Sequence, residues 1–312
     1  MTAAVTDFSQ RGAQGRKSAA LTSVIAAVGL TVLKVVVGLA TGSLGILAEA
    51  AHSGLDLMAA MMTFLAVRFA EKPADRTHPY GHGKAENLSA LFETLLLLAT
   101  CAWIISEAGH RLLYHSVDFE VNLLSFGVMA VSIVVDVSRS RVLYRAARKY
   151  NSQALEADAL HFSTDIWSSA VVILGLFCVK LGEWVPGLAF LHKADSVAAI
   201  LVGLIVVYVS LHMGKRTVQA LLDVAPSGVE SKIISTVEAV PGVTNCHRVR
   251  LRYSGPQLFV DIHVLIDGDK TLREAHILTE EIERTIQKLV PNADVMVHPE
   301  PDLEQAIKTK GE

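Results

Sequence analysis

Six apolar stretches, at about residues 18–40, 43–69, 87–110, 119–138, 157–182 and 194–213, dominate the chain. Each is long enough to cross a bilayer as a helix, which takes about 17–25 residues. Inside lipid every backbone polar group must be bonded within the protein, so such segments are restricted to helices or closed barrels. Runs of this length favour helices. The whole chain is 51% hydrophobic and 19% charged, against about 25% charged in ordinary soluble domains. This excludes a disordered chain, a fibre and a coiled coil, and argues against a wholly soluble enzyme. The first run exceeds the 7–15 residues usual for a signal-peptide core and follows a polar segment, so it reads as a span rather than a cleaved leader.

Basic residues set the expected orientation. Arg11, Arg16 and Lys17 precede the first span; Arg68, Lys72, Arg76 and Lys84 flank the loop after the second. Arg139, Arg141, Arg145, Arg148 and Lys149 follow the fourth, and Lys215 and Arg216 the sixth. The alternate connections, Thr41–Ser43 and His110–Glu120, carry at most Arg111. The positive-inside rule then places both termini in the cytoplasm, and the expected location is the inner membrane of the cell. The expected division is a cytoplasmic segment 1–17, a six-helix membrane domain 18–216 and a cytoplasmic domain 217–312.

From about residue 225 the composition becomes that of a soluble domain. Val229–Val240 has helical periodicity and stops at Pro241-Gly242. Cys246–Tyr253 and Leu258–Ile266 alternate as strands around Ser254-Gly255-Pro256, a hairpin signal. Leu272–Leu289 is an amphipathic helix and Asp294–His298 a last short strand. The order αββαβ predicts an α+β module, a small sheet with helices on one face. The three cysteines, Cys101, Cys178 and Cys246, are widely separated and give neither a disulfide framework nor a thiolate site. A net charge of −3 carries no nucleic-acid signature.

Ionisable groups at membrane depth are costly and mark candidate sites. His52 and Asp56 in the second span, and His161 and Asp165 in the fifth, each stand at i, i+4, on one helix face one turn apart. Two such helices face to face offer two imidazoles and two carboxylates, a set suited to tetrahedral Zn²⁺. A single HxxxD also reads as a helix-packing hydrogen bond or a snorkelling pair; its recurrence in mid-span favours the metal reading. Asp75, His78 and His82 can converge in the Gly/Pro-containing loop after the second span. His247, His263, His276 and His298, with Glu300, form a third group in the soluble domain. Each of these two also reads as solvated surface residues. Lys34, Glu49, Asp136, Asp195, Glu93 and Glu107 read first as pairing or cavity-lining charges.

These features resemble the cation diffusion facilitator family over nearly the whole chain. The resemblance rests on AEAAHSGLD (Ala48–Asp56), PADRTHPYGHGKAE (Pro73–Glu86), HFSTD (His161–Asp165) and the histidine-bearing C-terminal domain. It implies a homodimeric secondary transporter that exports divalent metal in exchange for protons, with a metallochaperone-like cytoplasmic domain. It further implies a transport site of His52, Asp56, His161 and Asp165, and a loop site of Asp75, His78 and His82. Regulatory sites at the dimer interface would use His247, His263, His276, His298 and Glu300, and Lys84 and Asp223 would form an interprotomer salt bridge. Glu300 stands where a bacterial exporter carries Asp, and His52 where some iron/zinc members carry Asp. Two His and two Asp resemble the zinc pattern, and nitrogen donors favour Zn²⁺ over Mn²⁺; Cd²⁺, Co²⁺ and Fe²⁺ remain alternatives. The absence of HExxH and of a phosphate-binding loop disfavours a metalloprotease and a primary pump. A membrane-bound metal sensor without transport is the remaining rival.

Overall fold

The computed structural model describes residues 2–42, 44–114, 123–184 and 194–302. The chain divides into two compact units, Gln14–Val218 and a second of Gln219–Glu312 with Met1–Ala13.

The first unit is a bundle built from six helices: α1 Thr2–Thr41, α2 Leu44–Ala70, α3 Lys84–Tyr114, α4 Leu123–Tyr150, α5 Gln153–Trp184 and α6 Ala194–Leu221. Among the described residues, four stretches are long and apolar enough to cross a membrane: Gly12–Thr41, Glu49–Ala70, Lys84–His110 and Ile200–Leu221. The first four residues of the expected fourth span (119–122), most of the His110–Glu120 connection and the side chains of Cys178 and Asp195 lie outside the described residues.

Polarity in the bundle is inverted relative to a soluble protein. Ile25, Val36, Leu39, Met58, Trp103, Val134, Leu204 and Tyr208 point outward, whereas Ser23, Lys34, Thr63, Glu93, Arg139 and Asp158 are buried. Outward apolar surface suits a lipid solvent, in which burying more hydrocarbon between helices yields little. Small residues instead let the helices approach closely. Ala19 and Ala20 of α1, Ala60 of α2, Ala147 of α4 and Ala154 and Ala159 of α5 form one cluster with Leu143, Leu155 and Phe162.

One expectation is corrected here. Arg139, Arg141, Arg145, Arg148 and Lys149 do not lie in a loop: α4 continues to Tyr150. Arg139 is buried at 4% exposure, stacks over Phe162 at 3.5 Å from the ring centroid and meets Asp136 at 3.4 Å. Its aromatic and carboxylate partners offset the cost of leaving water, so the charge stays inside the helix bundle.

The second unit contains α7 Val229–Glu238, β1 Val243–Ser254, β2 Gln257–Asp267, α8 Leu272–Leu289 and β3 Ala293–Asp302. The sheet order is β1-β2-β3, antiparallel between β1 and β2 and parallel between β2 and β3. Gly255, at φ 57°, supplies the left-handed conformation of the two-residue β1–β2 turn. Along β2 the alternate residues Leu258, Val260, Ile262, Val264 and Ile266 are buried against Ile233 and Val237 of α7 and Leu278, Ile282 and Ile286 of α8. Both helices thus cover one face and leave the odd-numbered β2 residues, His263 among them, on the other. β3 runs four residues past the expected end at His298, bringing Glu300 into the sheet.

Candidate metal centres

In the bundle, α2 and α5 bring the two HxxxD pairs together. His161 Nε2 lies 3.2 Å from Asp56 Oδ1 across the helix interface and 3.8 Å from Asp165 Oδ2 on its own helix. His52 Nε2 is 3.9 Å from Asp56 Oδ1. Ligand atoms of His52, Asp56 and Asp165 all lie within 4.8 Å of one another. Around a tetrahedral Zn²⁺, with bonds of about 2.0–2.1 Å, neighbouring donors stand about 3.3 Å apart. The Asp56–His161 separation of 3.2 Å is of that size, and the 3.8 and 3.9 Å separations are somewhat longer. The site is graded in exposure: His161 is buried, whereas the side chain of His52 is 47% exposed.

The surrounding charges hold α2 in place. Lys34 of α1 donates to Ser53 Oγ at 2.8 Å and pairs with Glu49 at 3.1 Å, and Thr31 donates to the Ser53 carbonyl at 3.0 Å. Ser53 adjoins His52, so this clasp fixes the helix turn that carries His52. Lys34, Glu49 and Asp136 are thus paired side chains.

The loop brings Asp75, His78 and His82 within 4.8 Å at their ligand atoms. Asp75 Oδ1 accepts from the Thr77 amide at 2.9 Å, the Thr77 hydroxyl at 2.8 Å and the His78 amide at 2.7 Å. Those donors, led by the Thr77 hydroxyl, hold the Asp75 carboxyl down at about 2. Asp75 also faces His78 Nδ1 and His82 Nε2, each at 3.4 Å. Gly81, at φ 77°, closes the turn by donating to the His78 carbonyl at 2.9 Å. That turn sets the two imidazoles against each other, tilted by 41° with ring centroids 4.3 Å apart.

Strand register builds the third cluster. His247 is directly opposite His263, and His263 directly opposite His298, so three imidazoles form one row across the open face. Glu300, two residues along β3 on the same face, reaches back to them. Its carboxylate lies 2.7 Å from His263 Nδ1, 3.2 Å from His247 Nε2 and 3.8 Å from His298 Nε2. The hydrogen bond from His263 holds Glu300 below the ordinary carboxylate range. His276 is not brought to this row; it stands on α8, 3.7 Å from Glu280. Asp223 meets Arg252 at 3.7 Å within this unit, while Lys84 opens α3 in the bundle.

Sequence reading missed Asp158. It stands three residues before His161, on the same helix face, and is fully buried. That i, i+3 relation was the available signal.

Comparison with known proteins identifies the family of the chain. Residues 20–222 match the cation efflux transmembrane domain, and residues 225–302 match the cytoplasmic domain of cation efflux proteins. The chain belongs to the cation diffusion facilitator family. Its relatives include the cation-efflux pump FieF of Serratia proteamaculans, 32% identical over 286 residues, 91% of this chain and 92% of the pump. FieF of Salmonella arizonae is 31% identical over 284 residues, with the same two coverages. Among solved structures, a variant of the MamM CTD matches 23% of this chain and 92% of its own length, at 26% identity and a TM-score of 0.23. Family membership makes the protein a membrane transporter of metal cations rather than an enzyme.

Proposed function

We propose that this cation efflux protein exports Zn²⁺ from the cytoplasm in exchange for protons, by alternating access around His52, Asp56, His161 and Asp165. The observation that carries the reading is His161 Nε2, held between Asp56 of α2 and Asp165 of α5 at 3.2 and 3.8 Å. A ligand set divided between two helices is one that a relative movement of those helices assembles or opens. Metal binding needs a neutral imidazole and ionised carboxylates, so protons and metal compete for the same atoms. Two carboxylates offset the charge of a divalent ion, and two imidazoles favour Zn²⁺ over Mn²⁺. Cd²⁺, Co²⁺ and Fe²⁺ are the nearest competing cargoes.

In this proposal residues 18–216 form the membrane domain, with both termini cytoplasmic at the inner membrane, and the protein works as a homodimer. The Asp75–His78–His82 loop and the His247–His263–His298–Glu300 row bind metal on the cytoplasmic side, and His276 adds a further ligand there. Occupancy of the row makes export respond to cytosolic metal. Lys84 pairs with Asp223 of the second protomer.

The test is transport in proteoliposomes under an imposed pH gradient, across Zn²⁺, Cd²⁺, Co²⁺, Fe²⁺ and Mn²⁺. His161→Ala abolishes metal-dependent proton flux. Undiminished flux in that variant sinks the site assignment, and a metal order led by Mn²⁺ sinks the zinc reading.

A further inference from the structure

Next to the proposed transport site, on the side of the loop joining α2 to α3, the bundle buries two carboxylates that the transport reading leaves unused. Glu93 of α3 and Asp158 of α5 are both 0% exposed. Ala90 of α3 packs with Ala157 of α5, which sets the turns carrying Glu93 and Asp158 side by side. Asp158 precedes His161 by three residues, about 4.5 Å along the helix axis. Thr63 lies seven residues beyond Asp56, about 10 Å toward the loop end, and its hydroxyl donates to Glu93 Oε1. Glu93, Asp158 and the His161–Asp56 pair are therefore successive steps toward the ligand set.

Each carboxylate has one oxygen engaged and one orphaned. Asp158 Oδ2 accepts from Ser23 at 3.3 Å, and Ser23 in turn accepts from Arg139 at 3.1 Å. Glu93 Oε2 and Asp158 Oδ1 are buried with no hydrogen-bond partner. A buried carboxylate is costly unless a cation meets it. Arg139 supplies one positive charge, which it shares with Asp136.

We propose that Glu93 and Asp158 form an intramembrane way-site that receives a divalent cation between the loop end of the bundle and the transport site. The orphaned oxygens are its ligands, and the Thr63 and Ser23 hydroxyls orient them. Oxygen donors alone hold Zn²⁺ less tightly than a set with two imidazoles. Affinity thus rises along the path, so a cation enters the way-site and still leaves it. The inference rests on the transport-site reading.

The test uses the full-length protein. Flux into proteoliposomes gives KM, and equilibrium Cd²⁺ binding gives the Kd of the site that His161→Ala removes. Glu93→Gln keeps an acceptor for Thr63 and removes the charge. It raises KM for Zn²⁺ and Cd²⁺ about tenfold while that Kd stays within about twofold, Glu93→Asp restores most of the loss, and Asp158→Asn behaves as Glu93→Gln does. An unchanged KM overturns the way-site. So does a parallel rise in KM and Kd, which marks a structural role, or a change confined to the pH profile, which marks a proton carrier. Should His161→Ala retain full flux, the transport-site reading fails on its own arm, separately from the Glu93 result.

Discussion

Asp75 shows how one side chain shapes a loop and keeps itself ionised. Its Oδ1 gathers the Thr77 amide and hydroxyl and the His78 amide, and its Oδ2 faces His82 Nε2. The donors favour the ionised form and bring its pKa to about 2. Because the folded value lies below the unfolded value of about 3.9, the turn's contribution is complete above that value and is lost as pH falls through about 2. The Asp75 contribution to the turn is therefore complete from pH 7 down to about 4. NMR of the Asp75 carboxyl carbon should show a midpoint near 2, and Thr77→Val, which deletes the largest cause, should move it upward. A wild-type midpoint at the ordinary value of about 4 contradicts the turn.

At the scale of elements, periodicity was legible where one face dominates and misleading where charge and helix coincide. α8 begins and ends where its pattern predicts, Leu272–Leu289, because an apolar face and a capping box agree: Thr271 accepts from the Glu274 amide while the Glu274 carboxylate accepts from Thr271. Removing the cap with Thr271→Ala should cost about 1 kcal/mol, or roughly fivefold in local opening. Hydrogen exchange in the intact protein should show this in the first turn of α8 and not in β2. The two HxxxD pairs were legible because i, i+4 spacing holds in any helix. Arg139 was not: a basic run usually marks the end of a span, and its burial rests on tertiary partners, the Phe162 ring, Asp136 and Ser23. The end of β3 was hidden by Pro299 and Pro301, residues that ordinarily argue against a strand. β3 is an edge strand of the three-stranded sheet, where a residue whose N–H would face outward can be proline without losing a ladder bond.

At the scale of the whole molecule, the average composition conceals two opposite solutions to burial. The bundle turns large apolar side chains outward and keeps Lys34, Glu93, Arg139 and Asp158 inside, whereas the αββαβ unit buries an aliphatic core and leaves its histidine row on the open face. Helix number, strand alternation and the three groups of ligand-type residues were legible from spacing along the chain. Which histidines meet depended on strand register, which set His247, His263 and His298 in one row and left His276 on α8. The bundle contains the His52–Asp56–Asp165 group within itself, so the proposed transport site takes no ligand from the αββαβ unit. A chain ending after residue 225 should therefore retain measurable Zn²⁺ flux in proteoliposomes while losing the metal bound by the histidine row. If correctly inserted truncated protein carries no flux and confers no metal tolerance, the bundle does not suffice for transport and the C-terminal unit is required for it.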